Sequence, residues 1–444
     1  MKITTTIVSL LLGTSTLFAQ TTPDARSTYR KIREEVQRTY KTKDYPSLIE
    51  ANKRAIEFTH GSSRWMLNLA GCYALAGRAD EAFRTLQRVA EMRIDASDAL
   101  KDDDFASLHK DPRWAVIAQQ FAKNSDPVGF NRTEAKLDDT GLLTEDIAWS
   151  NQYRTFYLTS IREKRVLRVA KSSDVTTLVD FSKDPGWPLL ANVADDARGV
   201  LWITTAAMPN FEAAPKADWG RSALLEVEIA SGKLRHRYDL TDDGNPHVPG
   251  DAALAPNGDL VISDGLGGAI YRFHNGTFTR IDNGEFISPQ TPAISGKGEI
   301  IVPDYIRGLA RLAPDSQKPV TWLANPSAAL IGIDGLYFAP GGPREEPTLY
   351  AIQNGISPHR ILAIHLDSKL RAVKSADVLL SNSPGLGEPT HGLFTKDRTF
   401  FFIANSGWDQ LDDNGKPKPG ITPSAPEIRE LQNGATDRPT LRRK

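Results

Sequence analysis

The feature that most constrains this chain is a pair of strands that recurs six times between residues 140 and 435. In each copy a first strand is followed by a turn and a very apolar second strand, and in most copies by a third strand. Repeats of roughly 40–60 residues with about four strands each are typical of propeller blades. The sequence therefore predicts a six-bladed β-propeller over residues 126–436. The six pairs are residues 145–149 with 156–158, 192–194 with 201–203, 251–254 with 260–262, 291–294 with 300–302, 334–338 with 349–351, and 391–394 with 400–402.

Closure of the ring is the weakest part of this pattern. The last copy lacks an obvious third strand, and we expect residues 427–431 to supply a closing strand. A β-sandwich is the competing architecture, but it would not require six copies in one register. The propeller remains the prediction.

Residues 24–125 carry a helical period instead, with apolar side chains recurring at spacings of three and four. Residues 65–83 read as a helix, a stop centred on Gly77 and a second helix, with small residues where the two helices must approach closely. This pattern resembles the tetratricopeptide repeat, and a degenerate copy lies 34 residues upstream. The sequence thus predicts an α plus all-β chain of two domains, with tetratricopeptide-like α-hairpins preceding the propeller.

The two ends of the chain show other patterns. Residues 1–19 resemble an export signal, with Lys2 as the positive start, an apolar stretch at residues 7–12 and a cleavage site after Ala19. The apolar stretch is too short to span a bilayer of about 30 Å, so we expect a periplasmic or secreted protein without a membrane span. Residues 437–444 form a basic tail that we expect to be disordered.

The overall charge excludes one class of partner. Lys plus Arg number 54 and Asp plus Glu number 55, which gives a formal net charge of -1. Such a balance provides no electrostatic field to gather phosphates, so we expect no nucleic-acid partner.

Polar residues occupy corresponding positions in all six copies. Antiparallel pairing places the starts of the first strands and the ends of the second strands at one mouth of the channel. Several carboxylates that meet there must protonate, form hydrogen bonds or share a cation, and oxygen ligands favour calcium or magnesium. For any single residue the alternative is that its side chain caps the loop backbone. The predicted set is Glu145 and Asp146, Asn192, Asp251, Thr291, Asp334 and His391 at first strands, Asp264, Asp304 and Asn405 at second-strand ends, and Arg307 in a following loop.

The propeller segment is similar to the senescence marker protein, gluconolactonase and luciferin-regenerating enzyme group, on the evidence of residues 145–149 and 333–336. The resemblance implies a calcium-binding hydrolase of lactones and related esters, whose metal is held by a first-blade Glu, middle-blade Asn residues and a later Asp. It implies that Glu145 is a ligand and that Asp334 is both ligand and base. The middle-blade asparagines do not match cleanly, and Asp251 and Gln290 would supply oxygens in their place.

Two functions are compatible with these patterns. The first is an exported, calcium-dependent lactone or ester hydrolase, in which the cation polarises the carbonyl group and the helical repeats dock a protein partner. His391 is a second candidate for the catalytic base, because an unperturbed histidine has a pKa near 6.5. The alternative is a non-catalytic periplasmic binding or scaffold protein that uses the channel and the helical repeats to hold a ligand or a protein partner.

Overall fold

A computed structural model describes residues 24–170, 174–208, 214–240, 244–313, 320–342, 345–412, 416–422 and 424–432. The predicted export signal and the basic tail lie outside these residues. None of the helices in the described ranges is both long enough and apolar enough to cross a membrane. The helices at the start of the described chain are α1 (Ala25–Lys41), α2 (Tyr45–Phe58), α3 (Ser63–Leu75), α4 (Ala79–Glu91) and α5 (Pro112–Lys123), with 3₁₀ helices at Ala99–Lys101 and Asp103–Leu108.

Capping residues explain where three of these helices begin. Asp24, Asp44 and Asp111 each accept a hydrogen bond from a backbone N–H in the first turn of α1, α2 and α5. A carboxylate there satisfies an N–H group that has no partner within the helix and also interacts favourably with the helix dipole. Helices α1 to α4 pack against one another in chain order around a core that includes Leu48 and Phe83. Their identity as tetratricopeptide repeats stays a prediction.

The described strands form six four-stranded antiparallel sheets, which confirms the predicted six-bladed propeller. Blades 1 to 5 each take four consecutive strands. Their bounds are β2 (Thr144–Ser150), β3 (Thr155–Ser160), β4 (Arg165–Val169) and β5 (Val175–Asp180); β6 (Leu189–Asp195), β7 (Val200–Ala206), β8 (Ser222–Glu228) and β9 (Leu234–Asp239); β10 (Pro249–Leu254), β11 (Leu260–Asp264), β12 (Ala269–His274) and β13 (Thr277–Arg280); β14 (Ala293–Ile294), β15 (Ile300–Asp304), β16 (Gly308–Arg311) and β17 (Thr321–Leu323); and β18 (Ile333–Phe338), β19 (Thr348–Gln353), β20 (Arg360–Leu366) and β21 (Val373–Ser381).

Blade 6 is completed by the two ends of the propeller segment. It contains β22 (Gly392–Phe394), β23 (Phe400–Ala404), β24 (Glu427–Gln432) and β1 (Phe130–Lys136). The predicted strand at residues 427–431 therefore exists, but it is the third strand of its blade. The outermost strand is β1, which pairs with β24 in the register Phe130↔Gln432 and so closes the ring.

The second strands are very apolar because neighbouring blades cover both of their faces. Every residue of β3, β7, β11, β15 and β23 is buried. Contacts between blades are made by side chains such as Phe156 of blade 1 and Phe401 of blade 6, whose ring centroids lie 5.1 Å apart. Outermost strands such as β5 have mainly exposed or half-buried residues.

The helical region (residues 25–123) packs against the mouth of the propeller where first strands start and second strands end. Three arginines connect the helical region to the propeller by donating hydrogen bonds to backbone carbonyls across the boundary between them. Arg26 donates to Gly265 and Ile287, and Arg307 donates to Phe58. Arg360 is buried and donates to Met92 and Arg93 at 3.0 and 2.8 Å. The helical region thus lies over loops of blades 3, 4 and 5.

This boundary contains a histidine that must stay neutral. The His60 ring stacks on Trp322 at 4.5 Å, and its Nε2 atom faces Nη2 of Arg307 at 3.4 Å, a contact in which the histidine nitrogen accepts. Burial and the Arg307 charge lower the pKa of His60 to about 4, against a small opposing effect of Glu285.

Acidification is therefore expected to destabilise the protein through His60. His60 takes up a proton below about pH 6.5 in the unfolded state but only near pH 4 in the folded state. The free energy of unfolding therefore decreases as the pH falls from about 6.5 to about 4. After allowance for partial exposure, we expect about 2 kcal/mol less stability at pH 4.5 than at pH 7 from this residue. Urea unfolding of wild type and His60→Gln at both pH values measures it. Equal pH dependence in the two proteins would contradict the prediction.

Candidate active site

Irregular strand register aims side chains into the channel mouth. In four blades the first strand loses regular pairing with the second strand at its channel end. Bulges of this kind bend a strand and re-aim its side chains, and they occur often beside active sites. The irregularities lie between Thr144 and Ile147, Leu189 and Asn192, Pro249 and Asp251, and Ile333 and Leu336.

Three ionisable side chains from three different blades meet at this mouth. Asp251 comes from β10, Asp334 from β18, and His391 directly precedes β22. Their ligand atoms all lie within 4.8 Å of one another. The side chains are buried, with residue exposures of 4%, 8% and 2%. The structure therefore brings together three predicted residues that are distant in the sequence, and this group could hold a metal ion.

Both ring nitrogens of His391 face acceptors. Nδ1 lies 2.7 Å from the backbone oxygen of Glu145, and Nε2 lies 2.6 Å from Oδ1 of Asp251. Burial lowers the pKa of His391, but Tyr337, Asp146 and the other acidic neighbours outweigh burial and raise it well above 6.5. A protonated ring donates both hydrogen bonds, whereas binding of a cation through Nε2 requires the neutral ring, so a bound cation would replace the Nε2 proton. The role of His391 as a second candidate base stays a prediction.

Burial raises the pKa of two carboxyl groups at this mouth, Glu145 and Asp334. Burial raises the pKa of Glu145 to about 8, with His391 opposing the shift and Asp334 adding to it. Burial also raises the pKa of Asp334 to about 6, with the same opposition from His391 and a further increase from Asp251. Buried carboxylates of one sign favour protonation unless a cation is present. A divalent cation would supply that charge.

Other predicted first-strand residues form hydrogen bonds to the cluster or to the backbone beside it. Thr291 donates its hydroxyl to Oδ1 of Asp251 at 2.7 Å. Asp146 accepts the backbone N–H groups of Ile147 and Asn192, both at 2.7 Å, so its two oxygens hold backbone. The Asn192 amide donates to the carbonyl of Tyr157 at 3.1 Å, and its Oδ1 atom is buried without a partner among the described residues.

Two predicted acidic residues at second-strand ends hold loops instead of joining the cluster. Asp264 accepts the N–H groups of Val248 and Gly267 and pairs with His247 at 2.5 Å. Asp304 accepts four N–H groups of its own and the adjoining loop. These are the backbone-capping roles that such positions often have.

The remaining predicted residues also lie apart from the cluster. The Gln290 amide donates to the backbone and hydroxyl oxygens of Ser288, within its own loop. Asn405 adopts a left-handed backbone with φ of 54° beside the loop that precedes blade 6. Arg307 is committed to the boundary with the helical region. None of the hydrogen bonds and ion pairs among the described residues joins these three side chains to Asp251, Asp334 or His391.

Four further residues around the mouth were not predicted to belong to the site. Trp408 donates its indole N–H to Oε2 of Glu145 at 2.5 Å. The hydroxyl oxygen of Tyr337 accepts the N–H of Gly392, next to His391. Asn354 and Tyr305 form a chain of hydrogen bonds that ends on Asp334. Asn354 directly follows β19, which ends at Gln353, and lies beyond the predicted second strand at residues 349–351.

Comparison with known proteins identifies similar propellers but no family. No protein-family model matches the chain, and no curated protein matches it. Similar solved structures include a putative oxidoreductase (glucose dehydrogenase) from Thermus thermophilus, with 15% identity and a TM-score of 0.48 over 68% of this chain and 99% of that chain. A gluconolactonase from Xanthomonas campestris has 15% identity and a TM-score of 0.45 over 69% and 99% of the two chains. A luciferin-regenerating enzyme has 13% identity and a TM-score of 0.45 over 68% and 96%.

Proposed function

We propose that the propeller is a divalent-cation-dependent hydrolase of lactones or carboxylic esters, with its reaction centre at Asp251, Asp334 and His391. The observation that carries this proposal is the meeting of three buried ionisable groups from three blades, with ligand atoms within 4.8 Å. Perturbed ionisable groups that converge at one opening are characteristic of functional sites. Similarity of residues 145–149 and 333–336 to the lactone-hydrolysing propellers supplies the reaction class.

The donor set fits a divalent cation. Asp251, Asp334 and His391 would hold it, with Glu145 beside them. The bond from Nδ1 of His391 to the Glu145 carbonyl orients the ring so that Nε2 faces the carboxylates, as in metal-binding histidines whose other nitrogen is hydrogen-bonded. The predicted oxygen donors favour calcium or magnesium, and the family resemblance implies calcium. The imidazole adds a nitrogen donor that suits manganese or zinc as well, so all three ions belong in the test.

The side chains of this site can perform the proton transfer that hydrolysis requires. A bound cation would polarise the carbonyl group of the substrate. The Asp334 carboxylate, whose pKa is raised to about 6, takes a proton from the attacking water as the new C–O bond forms. Asn354 orients that carboxylate through a 2.7 Å bond to Oδ2. The ester C–O bond then breaks, and Asp334 passes the proton that it took from water to the leaving oxygen, which restores the carboxylate.

Turnover by the full-length protein is therefore expected to depend on a cation. Protein treated with a chelator should hydrolyse none of a panel of γ-lactones, δ-lactones and aryl esters at a measurable rate, and one of Ca²⁺, Mn²⁺ or Zn²⁺ should restore hydrolysis. A pH-stat measures proton release in each case. Hydrolysis that persists unchanged after the chelator would contradict the cation requirement.

The burial of the site is also compatible with a second function, in which the bound ion is structural. His391 is 2% exposed and Asp251 is 4% exposed, which suits an ion that ties blades together as well as one that meets a substrate. The second candidate function is accordingly a non-catalytic propeller that holds an ion or ligand. Tight cation binding without hydrolysis of any lactone or ester in the panel would support this second function.

We also propose that residues 1–19 direct export and that the helical region binds a protein partner. The export proposal rests on the pattern of Lys2, the apolar stretch and Ala19. The partner proposal rests on the resemblance of residues 65–83 to tetratricopeptide hairpins.

A further inference from the structure

A hydrogen-bonded chain of two side chains ends on the carboxylate of Asp334. The Asn354 amide nitrogen donates to Oδ2 of Asp334 at 2.7 Å and to the backbone oxygen of Pro389 at 3.0 Å. Its Oδ1 atom accepts the hydroxyl of Tyr305 at 3.0 Å. Because the carboxylate and the carbonyl oxygen are acceptors, the amide can have only this orientation. Asn354 is buried, and its bonds to Pro389 and Tyr305 fix the amide in the position from which it donates to Asp334.

Tyr305 is itself held by close backbone packing. Its ring lies directly against Gly355, where a Cβ atom would come within 2.6 Å of the Tyr305 ring and 2.5 Å of the Cα of Gly332. The carbonyl of Tyr305 accepts the N–H of Gly332 at 2.8 Å, and the carbonyl of Gly332 accepts the N–H of Gly355 at 3.0 Å. The backbone at Tyr305, Gly332 and Gly355 therefore forms one compact unit that supports the chain of hydrogen bonds.

The loops that contain Tyr305 and Gly355 also contact the helical region. We call residues 305–307 and 355–360 the interface loops. In the first loop, the Arg307 guanidinium lies 4.2 Å from the ring centroid of Phe58 and donates to the carbonyl of that residue. In the second loop, Ile356 packs against the core of the helical region, and the carbonyl of Ser357 accepts the N–H of Asp95 at 2.8 Å.

A third contact reaches the strand end that precedes Asn354. Arg360 donates to the carbonyls of Met92 and Arg93 and also, through Nε, to Oε1 of Gln353 at 2.6 Å. The Gln353 amide in turn donates to the carbonyls of Ala329 and Ile331. The helical region thus contacts the loop of Tyr305 and the loop that follows Asn354, and Arg360 links it to Gln353, which precedes Asn354.

We propose that Tyr305 and Asn354 are positioning residues for Asp334, and that the helical region keeps them in position by docking on the interface loops. The helical region is then part of the scaffold of the reaction centre, in addition to any partner that it binds. The inference rests on the proposed function in treating Asp334 as the reacting group, because the hydrogen-bonded chain would otherwise be structural only.

Removal of single links in the chain tests the positioning role in the full-length protein. Mn²⁺ is the probe, its affinity is measured by electron paramagnetic resonance, and kcat and KM are measured on a hydrolysed lactone. Groups that orient metal-binding side chains change affinity or activity by about 10- to 100-fold when they are removed. We expect a loss of about 10-fold in Mn²⁺ affinity for Tyr305→Phe and up to about 100-fold for Asn354→Leu, with kcat reduced more than KM is changed.

The matched control is Tyr238→Phe, which removes a hydroxyl that donates to Glu226 at 3.2 Å on the outer strands of blade 2. It should leave Mn²⁺ affinity unchanged. Wild-type affinity in Tyr305→Phe, together with an unmoved Asp334 carboxylate in its crystal structure, would overturn the proposal. The position of the Asp334 carboxylate can be measured in a crystal structure without any bound cation. If wild type binds no Mn²⁺, Ca²⁺ or Zn²⁺, the proposed function fails, and a displaced Asp334 carboxylate in Tyr305→Phe still supports the positioning role.

The contribution of the helical region is tested from its own side of the boundary. Phe58→Leu removes the ring over Arg307, whereas Phe83→Leu alters the helical core beside Arg113. Couplings between separate sites are typically changed by factors of about 2 to 30. We expect Phe58→Leu to weaken Mn²⁺ binding within that range and Phe83→Leu to leave it unchanged. Equal effects of the two variants would show general destabilisation and would overturn the role assigned to docking.

Discussion

Asp334→Asn is expected to reduce kcat for lactone or ester hydrolysis by about 10²- to 10⁴-fold, the range typical of a lost general base. Asparagine keeps the size of the side chain but cannot accept a proton from water. It also removes a negative charge from a buried group that lies within 4.8 Å of Asp251 and His391. The measurement is the hydrolysis rate at saturating substrate and cation. The variant should fold, because Asn354 can still hydrogen-bond to the amide oxygen.

Asp377→Asn is the matched control for this change. Asp377 lies on the outermost strand of the same blade, and its carboxylate is 3.2 Å from His365 with its side chain 68% exposed. The same loss of charge at that position should leave kcat at the wild-type value. Hydrolysis by Asp334→Asn at more than a tenth of the wild-type rate would exclude Asp334 as the base.

Gly355→Ala is expected to lower the free energy of unfolding by about 2–3 kcal/mol, as insertion of atoms into a filled space does. The new Cβ atom would lie 2.5 Å from the Cα of Gly332 and 2.6 Å from the Tyr305 ring, and the glycine backbone cannot move aside as a flexible side chain would. Because Tyr305 must shift, Mn²⁺ affinity should fall as well. Urea unfolding and Mn²⁺ titration measure the two effects.

Gly296→Ala provides the comparison for the glycine change. No described atom lies within 4 Å of the place where its Cβ would be, and its backbone does not need a positive φ. This variant should be as stable as wild type or slightly more stable, because alanine restricts the unfolded chain. Equal stability of the two variants would show that the interface loops are not tightly packed.

Much of the propeller could be predicted because its signal repeats. Second strands such as Phe400–Ala404 are buried on both faces and must be apolar, which makes each copy visible in the sequence. The closing strand could not be predicted in the same way. Strand β1 has one buried residue in seven, so the sequence Phe130–Lys136 carries little of the alternation that marks a strand. Its place is determined by pairing with β24, at the far end of the propeller segment.

The site was predictable only where strand register determines it. Asp251, Asp334 and His391 share the channel end of first strands, and that common position brings them together. Asp264 and Asp304 share the second-strand ends, but their carboxylates accept hydrogen bonds from loop N–H groups and do not join the cluster. Those contacts depend on loop conformation, and a strand pattern contains no information about it.

The positioning residues were missed for a related reason. Asn354 lies one residue beyond a strand end, and Tyr305 belongs to a loop in another blade. They meet because glycines at residues 332 and 355 allow unusually close backbone approach. That approach is a property of three segments together, so no single stretch of the sequence reveals it.

A crystal of the full-length protein soaked in MnCl₂ tests the central claim most directly, because anomalous scattering locates manganese independently of activity. We predict an anomalous peak from a manganese ion that is coordinated by Asp251, Asp334 and Nε2 of His391. The hydrogen bond between His391 and Asp251 should then be broken. Peaks confined to other surfaces, with His391 still bonded to Asp251 as in the 2.6 Å contact described above, would contradict a cation-binding reaction centre at this mouth.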